Sequence, residues 1–304
     1  MSTHAIIICT KNRADPVRAA LDGALANPDT TVVVVDQNLD DRVAAIIDVV
    51  PERDRIVHVR TEIAGAGRAR NLGMEEVDSE IVCFTDDDCV VPPDYVERFE
   101  AALRARPEAG IAFCRVEQAI DRDKPGYAPV FEIDAPQTIE SWSRGLRPED
   151  LGIGAGMAVR TAALRAVGGF DPLMGPGSRF PSADDREAAM RLLAAGHHVI
   201  AVAEPVVLHY GHRTAGKEAR RLTKRDFVAM GAMFAKFTKV GQPRARRSSL
   251  AFLFRLFGLA AHDSVQLRRV AGLGKPWFAV VGFVQGLTVA VDPETVIYTP
   301  RSNP

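Results

Sequence analysis

Along the first two hundred positions, short runs of apolar, mostly β-branched residues alternate with segments whose apolar residues recur at helical spacing. Residues 5–9 and 31–36 are apolar without alternation, the pattern of strands buried on both faces of a parallel sheet. Residues 16–26 between them have helical spacing. The unit repeats: 56–60 predicts a strand, 66–77 a helix, 81–85 a strand, 93–105 a helix and 111–116 a strand. Strands alternating with helices imply right-handed crossovers and a mostly parallel sheet whose ligands gather at the carboxyl ends of the strands. The polar residues that end each strand are therefore the ones that carry functional information.

Residues 118–150 lose periodicity and contain Pro125, Gly126, Pro129, Pro136, Gly145 and Pro148, which predicts a long loop with at most one short helix. Loops of that length inside a domain are commonly lids or binding loops. Order resumes with a strand over 154–159, a helix over 161–167, a turn at Gly168 and Gly169, and a stronger helix over 184–195 ended by Gly196. Residues 199–203 and 206–209 predict two further strands. Beyond Gly211 the pattern changes. Residues 217–225 are strongly basic, and Arg244, Arg246 and Arg247 add to the charge. Two apolar stretches follow, 250–261 and 277–291, each shorter than the roughly 20 residues a spanning helix needs. Gly282 and Gly286 inside the second predict a re-entrant or interfacial segment. The expected organisation is an α/β unit over 1–212 and a basic, helical C-terminal extension over 213–304.

With 304 residues, 47% hydrophobic and 25% charged, the composition is that of a folded domain and excludes collagen-like, coiled-coil and disordered chains. The net charge of −1 hides an asymmetry: residues 1–210 carry 22 Lys/Arg against 34 Asp/Glu, and residues 211–304 carry 16 against 5. Cys9, Cys83, Cys89 and Cys114 lie in or beside apolar runs without CxxC spacing, as expected of free thiols in a reducing compartment. The first residues lack a basic region and cleavage site, so no signal peptide is expected and the location is cytoplasmic. No nucleic-acid partner is expected.

The chemistry concentrates at Asp86, Asp87 and Asp88, directly after an apolar strand. Neighbouring carboxylates repel and are costly to bury, so they call for a compensating cation. A hard divalent metal with a phosphate ligand supplies it. The competing interpretation is a solvated acidic turn capping the next helix. Thr10, Lys11, Asn12 and Arg13 end the first strand; Asp36, Gln37 and Asn38 end the second; Arg68, Arg70 and Asn71 open the helix before the acidic strand. At one sheet edge these provide hydrogen-bonding groups for a nucleotide base and cations for a diphosphate. Arg70 stands where a dinucleotide fingerprint would place its third glycine, which disfavours that motif at Gly65 and Gly67, although phosphate binding at this helix N-terminus stays reasonable.

In this combination the chain resembles the family-2 inverting nucleotide-sugar glycosyltransferases of the GT-A fold. The matching pieces, in order over residues 4–212, are Thr10 to Arg13, Asp36 with Gln37, Gly67-x-x-Arg70-Asn71-x-Gly73, the acidic triplet, Gly154-x-Gly156 with Gly168-Gly169-Phe170-Asp171, Asp184-Asp185 leading into Arg191, and His209. The resemblance implies a Rossmann-like, mostly parallel sheet flanked by helices. It further implies transfer of a sugar from a nucleotide donor to a glycan or lipid-linked acceptor in cell-envelope or polysaccharide biosynthesis, dependent on Mg²⁺ or Mn²⁺. Carried over position by position, Asp36 recognises the base, Asp86 lies on the ribose and metal side, and Asp88 and His209 hold the metal. Thr10, Asn12, Arg13, Gln37, Arg70, Asp87 and Gly156 line the donor site, and Asp185 is the base. The family commonly has Gly-Glu-Asp where this chain has Ala183-Asp184-Asp185, so Asp184 stays open as the base, as does His212 as a competing ligand. Independently, proton removal from an acceptor hydroxyl needs a carboxylate, and a helix N-terminus favours its ionised form. Asp36 suits the imide edge of uracil or thymine, which favours UDP or dTDP over GDP.

Two other classes share parts of this pattern. A sugar-phosphate nucleotidyltransferase is recognised by a glycine-rich basic loop after the first strand, and residues 10–13 contain no glycine. A non-catalytic nucleotide- or carbohydrate-binding module would not require Asp88, Asp185 and His209 together. In the extension, Phe252, Phe254, Leu256, Phe257 and Leu259 surround Arg255, and Trp277, Phe278 and Phe283 follow, near Arg244, Arg246, Arg247, Arg268, Arg269 and Lys275. Such helices suit an anionic membrane surface, here the inner face of the cell membrane. The alternative is a helical cap on the catalytic unit or on the second subunit of a homodimer.

Overall fold

In the computed structural model, the described residues are 4–119, 128–143, 146–214, 216–267 and 272–299. Pro125, Gly126, Gly145, Arg268 and Arg269 lie outside them. The β-branched runs form the expected strands: β1 (His4–Thr10), β2 (Thr30–Asp36), β3 (Ile56–Arg60) and β4 (Ile81–Asp86) pair in parallel. The helices α1 (Val17–Leu25), α2 (Arg42–Asp48), α3 (Ala66–Glu75) and, after the two-residue β5 (Cys89–Val90), α4 (Tyr95–Arg104) connect or follow them. The chain continues through β6 (Ala109–Gln118), β7 (Gln137–Ile139), β8 (Met157–Arg160), α5 (Thr161–Ala166), α6 (Asp184–Ala194) and β9 (His198–His209). The order across the sheet is β3-β2-β1-β4-β8-β6-β9-β5, with β7 also on β9.

Three features depart from the expectations. β8 runs antiparallel to both β4 and β6, because periodicity carries no information on strand direction. The two strands expected over 199–203 and 206–209 are one strand, whose register against β6 jumps from Val202 to Val206 across a bulge. The loop over 118–150 contains β7, which pairs antiparallel with the first half of β9.

Alternate residues of each strand feed two hydrophobic cores, one on each sheet face. Ile6, Ile8, Val32 and Val34 pack with α1, α2 and α4. Ile7, Val33, Val35, Val82 and Phe84 pack with α3, α5, α6 and a layer of C-terminal helices. That layer is α7 (Lys217–Lys239), α8 (Pro243–Gln266) and α9 (Gly274–Leu287), followed by the hairpin of β10 (Ala290–Val291) and β11 (Tyr298–Thr299). The second half of α7, Val228 to Phe237, is buried in the same core as the sheet. Gly282 and Gly286, which suggested a re-entrant segment, serve instead to let α9 lie against α7. A Cβ on Gly282 would fall 1.9 Å from the Val228 carbonyl, and one on Gly231 2.0 Å from the Ala279 carbonyl.

α6 and α7 are joined by a charge network without exposure. Lys236 Nζ lies 2.6 Å from both Asp171 and Glu187, and Glu187 pairs at 2.5 Å with Arg191. Arg191 also donates to the Val167 and Gly169 carbonyls, and the Tyr298 backbone N–H donates to Asp171 at 2.9 Å. A buried charge is tolerated only when paired in this way. The Gly168-to-Asp171 turn, α6, α7 and the C-terminal hairpin are thus fixed to one another.

Candidate active site

The carboxyl ends of β1, β2 and β4 meet at one edge of the sheet, in the registers Thr10 to Asp36 and Cys9 to Asp86. β5 turns back after the acidic triplet and pairs with the end of β9, setting Cys89 opposite His209. This short pairing brings the His209 Nε2 within 3.3 Å of Asp88 Oδ1. One ligand atom each from Asp86, Asp88, Cys89 and His209 lie within 4.8 Å of one another. His212 is not in that group.

Arg13 neutralises the triplet from the β1 side, with Nη1 on Asp88 and Nη2 2.8 Å from Asp87. Burial pushes Asp87 up to about 7 against the opposing charge of Arg13. Burial acts on Asp88 in the same direction, but the hydrogen bond with His209 and the charge of Arg13 outweigh it and hold Asp88 down at about 2. Asp88 therefore stays ionised and Asp87 sits near the border. Gly211 leaves the space these groups use, since a Cβ there would lie 2.4 Å from Asp88 Oδ2 and 2.9 Å from the His209 ring.

On the other side of Asp86, Arg70 connects the triplet to α6. Its Nη2 lies 3.5 Å from Asp86, its Nη1 donates to Asp184, and its guanidinium covers the Phe170 ring at 5.5 Å. Asp184 is buried, and burial pushes its carboxyl up to about 6 against the charge of Arg70. Asp185 is less buried and makes no ion pair among the described residues. Its Oδ2 accepts from the Gly154 N–H and its Oδ1 from the Arg186 N–H, both at 2.7 Å. Those two bonds aim the carboxylate while leaving lone pairs open. Ala183 opens α6 with φ of +63°, a left-handed conformation in which a side chain is disfavoured and glycine is at ease.

The remaining expected donor residues divide. Thr10, at the end of β1, is buried, and its hydroxyl donates to the Arg13 carbonyl at 3.2 Å. Asn12, also left-handed at φ +59°, donates its backbone N–H to Asn38. Asp36 has no exposure: its Oδ1 accepts from the Asn38 N–H and side-chain amide at 2.9 and 2.7 Å, and its Oδ2 lies 3.1 Å from His58. Gln37 accepts from the Gly65 N–H at 2.9 Å, linking β2 to the start of α3. Gly156 is buried beside the Cys114 Sγ, where packing demands a glycine. The glycine at the site is Gly154, which anchors Asp185 and would put a Cβ 2.6 Å from Arg70. Sequence reasoning passed over this function of Gly154, although the residue stands in the same short motif. It had no signal for His58, or for Asp226, whose Oδ1 accepts from the Ser182 hydroxyl at 2.7 Å.

Comparisons with known proteins bear on the family and the fold. Residues 5–168 match Glycosyl transferase family 2. No curated protein matches the chain in sequence. Among solved structures, the mannosyltransferase PcManGT from Pyrobaculum calidifontis, in complex with GDP-Man and Mn²⁺, superposes with a TM-score of 0.60 at 18% identity, over 94% of this chain and 87% of that one. Residues 1–349 of S. aureus TarS superpose with a TM-score of 0.63 at 15% identity, over 94% and 81%. The same TarS segment in complex with UDP-GlcNAc gives 0.62 at 14%, with the same coverage.

Proposed function

Because the chain belongs to glycosyl transferase family 2, we propose that this glycosyltransferase moves a sugar from a nucleoside diphosphate donor, UDP or dTDP, to a hydroxyl of a glycan or lipid-linked acceptor, inverting the anomeric carbon. One observation carries the reading: Arg70 spans the Asp86 end of the acidic cluster and the Asp184-Asp185 start of α6. A donor-side cation site and a candidate base thereby lie on two sides of one guanidinium.

The residues present fit a hard divalent cation. Asp86, Asp88 and His209 offer two carboxylates and an imidazole, and the buried His209 Nδ1 has no hydrogen-bond partner among the described residues. Cys89 fits less well, because a soft sulfur is a poor match for a hard cation, and burial pushes its thiol well above the ordinary value. A Mg²⁺ or Mn²⁺ held there would supply positive charge against the diphosphate that leaves. The other steps belong to the chain. Arg13 offers a half-exposed guanidinium to the donor phosphates. Asp185 accepts the proton of the acceptor hydroxyl as that oxygen bonds to the anomeric carbon, and the bond from that carbon to the nucleoside diphosphate breaks. Asp184 is committed to Arg70 and holds it in place, which favours Asp185 as the base.

PcManGT was solved with GDP-Man and TarS with UDP-GlcNAc, so the base is a point to measure. Titrating UDP, dTDP and GDP, each with Mn²⁺, is expected to rank GDP last; a clear preference for GDP overturns the donor assignment. Transfer and donor hydrolysis are expected to stop in EDTA and return with Mn²⁺.

No helix among the described residues is long and apolar enough to cross a membrane. A peripheral site at an anionic membrane face, serving cell-envelope or polysaccharide synthesis, is supported by one stripe of α8. Leu250, Phe254 and Phe257 are exposed one turn after the exposed Arg246 and Arg247. Flotation with anionic vesicles that weakens with salt is the expected result; a protein that never floats removes this part of the reading.

A further inference from the structure

The basic run of residues 217–225 has no part in the chemistry above, yet the structure places it beside the candidate base. Arg225, in the third turn of α7, donates from Nε and Nη2 to the Pro181 carbonyl at 3.2 and 2.8 Å, and the neighbouring Asp226 holds the Ser182 hydroxyl. Pro181 and Ser182 lead directly into Ala183 and α6, so the first turns of α7 border Asp185.

These cations outnumber the carboxylates near them. Between Arg213 and Asp226 the sequence has six Lys/Arg, Arg213, Lys217, Arg220, Arg221, Lys224 and Arg225, against Glu218 and Asp226. Among the described residues none of the six makes an ion pair. Glu218 is occupied by the Thr214 N–H and hydroxyl at 2.8 and 2.5 Å, and Asp226 by Ser182. Burial depresses Arg225, Asp226 opposes this, and the charges of Arg221 and Arg213 depress it further, so these guanidinium groups lie in one another's field. On the α6 side, Arg186, the residue after the base, has a buried Nε without a hydrogen-bond partner among the described residues. Crowded, unpaired guanidinium groups are a recognition surface for an anion, and their planar forks suit phosphate oxygens.

The position says which substrate carries that anion. The donor diphosphate belongs with the Asp86, Asp88 and His209 cluster, whereas in an inverting displacement the acceptor arrives from the face opposite the leaving group, the Asp185 side. We propose that Arg186, Arg221 and Arg225 form a phosphate-binding subsite for the acceptor, so that the hydroxyl deprotonated by Asp185 belongs to a phosphate-bearing molecule. This rests on the reading of Asp185 as the base. The phosphate can belong to a water-soluble polyol phosphate or to a lipid headgroup, and the recognition chemistry is the same.

The test uses the full chain with UDP and Mn²⁺ at saturation, so that the donor site is filled. Two probes are titrated: poly(glycerol phosphate), and vesicles of phosphatidylglycerol in phosphatidylcholine against phosphatidylcholine alone. Binding of either anionic probe is expected, weakening as NaCl screens it, and the probe that binds identifies the source of the phosphate. Arg225→Gln and Arg221→Glu should each weaken it about tenfold, the loss of one charge-assisted hydrogen bond. Arg221 is exposed, so its variant keeps the test valid if Arg225→Gln fails to fold. Binding of neither probe overturns the subsite, as do variants that bind like the wild type. A chain that binds the probe but not UDP with Mn²⁺ breaks the donor reading instead, and the two failures remain distinct.

Discussion

Asp184 and Asp185 are neighbours in sequence with different surroundings. Asp184 is buried against Arg70, while Asp185 is held by two backbone N–H groups at the start of a helix. Asp185→Asn keeps both the shape and the hydrogen-bond reach but cannot take a proton. It is expected to lower the transfer rate by about 10²–10⁴, with UDP and Mn²⁺ affinity within a few-fold by calorimetry. Near-wild-type turnover would move the role to Asp184. Asp88→Ala removes an ionised group from the cation cluster and should weaken metal-dependent UDP binding by more than about tenfold, since even loss of an outer partner costs that much. Unchanged metal dependence would make the acidic turn structural. Both carboxylates stood out in the sequence because they are side chains in a recognisable motif. Gly154 did not, because its part is played by a backbone N–H, which leaves no trace in the residue type. The same holds for Ala183, whose positive φ is invisible in the sequence although the commoner glycine hints at it.

Among the elements, β1, β2 and β4 were legible because strands buried on both faces read as nearly continuous apolar runs, and β3 and β6 because their apolar residues outweigh His58 and Arg115. α2 is a single short amphipathic stretch and went unseen. Only the basic first half of α7 stood out in the sequence, because its apolar second half becomes core only when the sheet and α9 meet it. Lys236 shows what that second half hides. It is the only cation within reach of Asp171 among the described residues and lies 2.6 Å from Glu187. Lys236→Met leaves Asp171 unpaired in an apolar interior, and urea denaturation should show a loss of about 3–5 kcal/mol. The network also sets an acid limit. Burial would raise the Glu187 carboxyl, but the charges of Arg191 and Lys236, with hydrogen bonds from both, hold it below the ordinary 4.5. A depressed folded value means that the folded state favours the ionised form. The stabilisation is therefore complete above about pH 4.5 and is lost as the pH falls through the folded value. Thermal unfolding below pH 4.5 should weaken more steeply for the wild type than for Glu187→Gln.

At the scale of the whole molecule, the core on one sheet face is built from both ends of the chain. Val33 and Phe84 belong to the same cluster as Met233, Phe234 and Phe237 of α7. A chain truncated after residue 212 should therefore be insoluble or expanded, as read by size-exclusion chromatography and circular dichroism, even though it retains the catalytic motifs. A truncated chain with native circular dichroism and a cooperative melt would show that the extension is dispensable to the fold. The two-residue pairing of β5 with the end of β9 has a consequence in time. On a ribosome, the acidic triplet emerges long before its histidine, and throughout that interval only Arg13 and Arg70, both already synthesised, are present to neutralise it. Those arginines act as the early chain's own counter-ions, so a nascent chain that ends before β9 lacks the histidine of the proposed cation site.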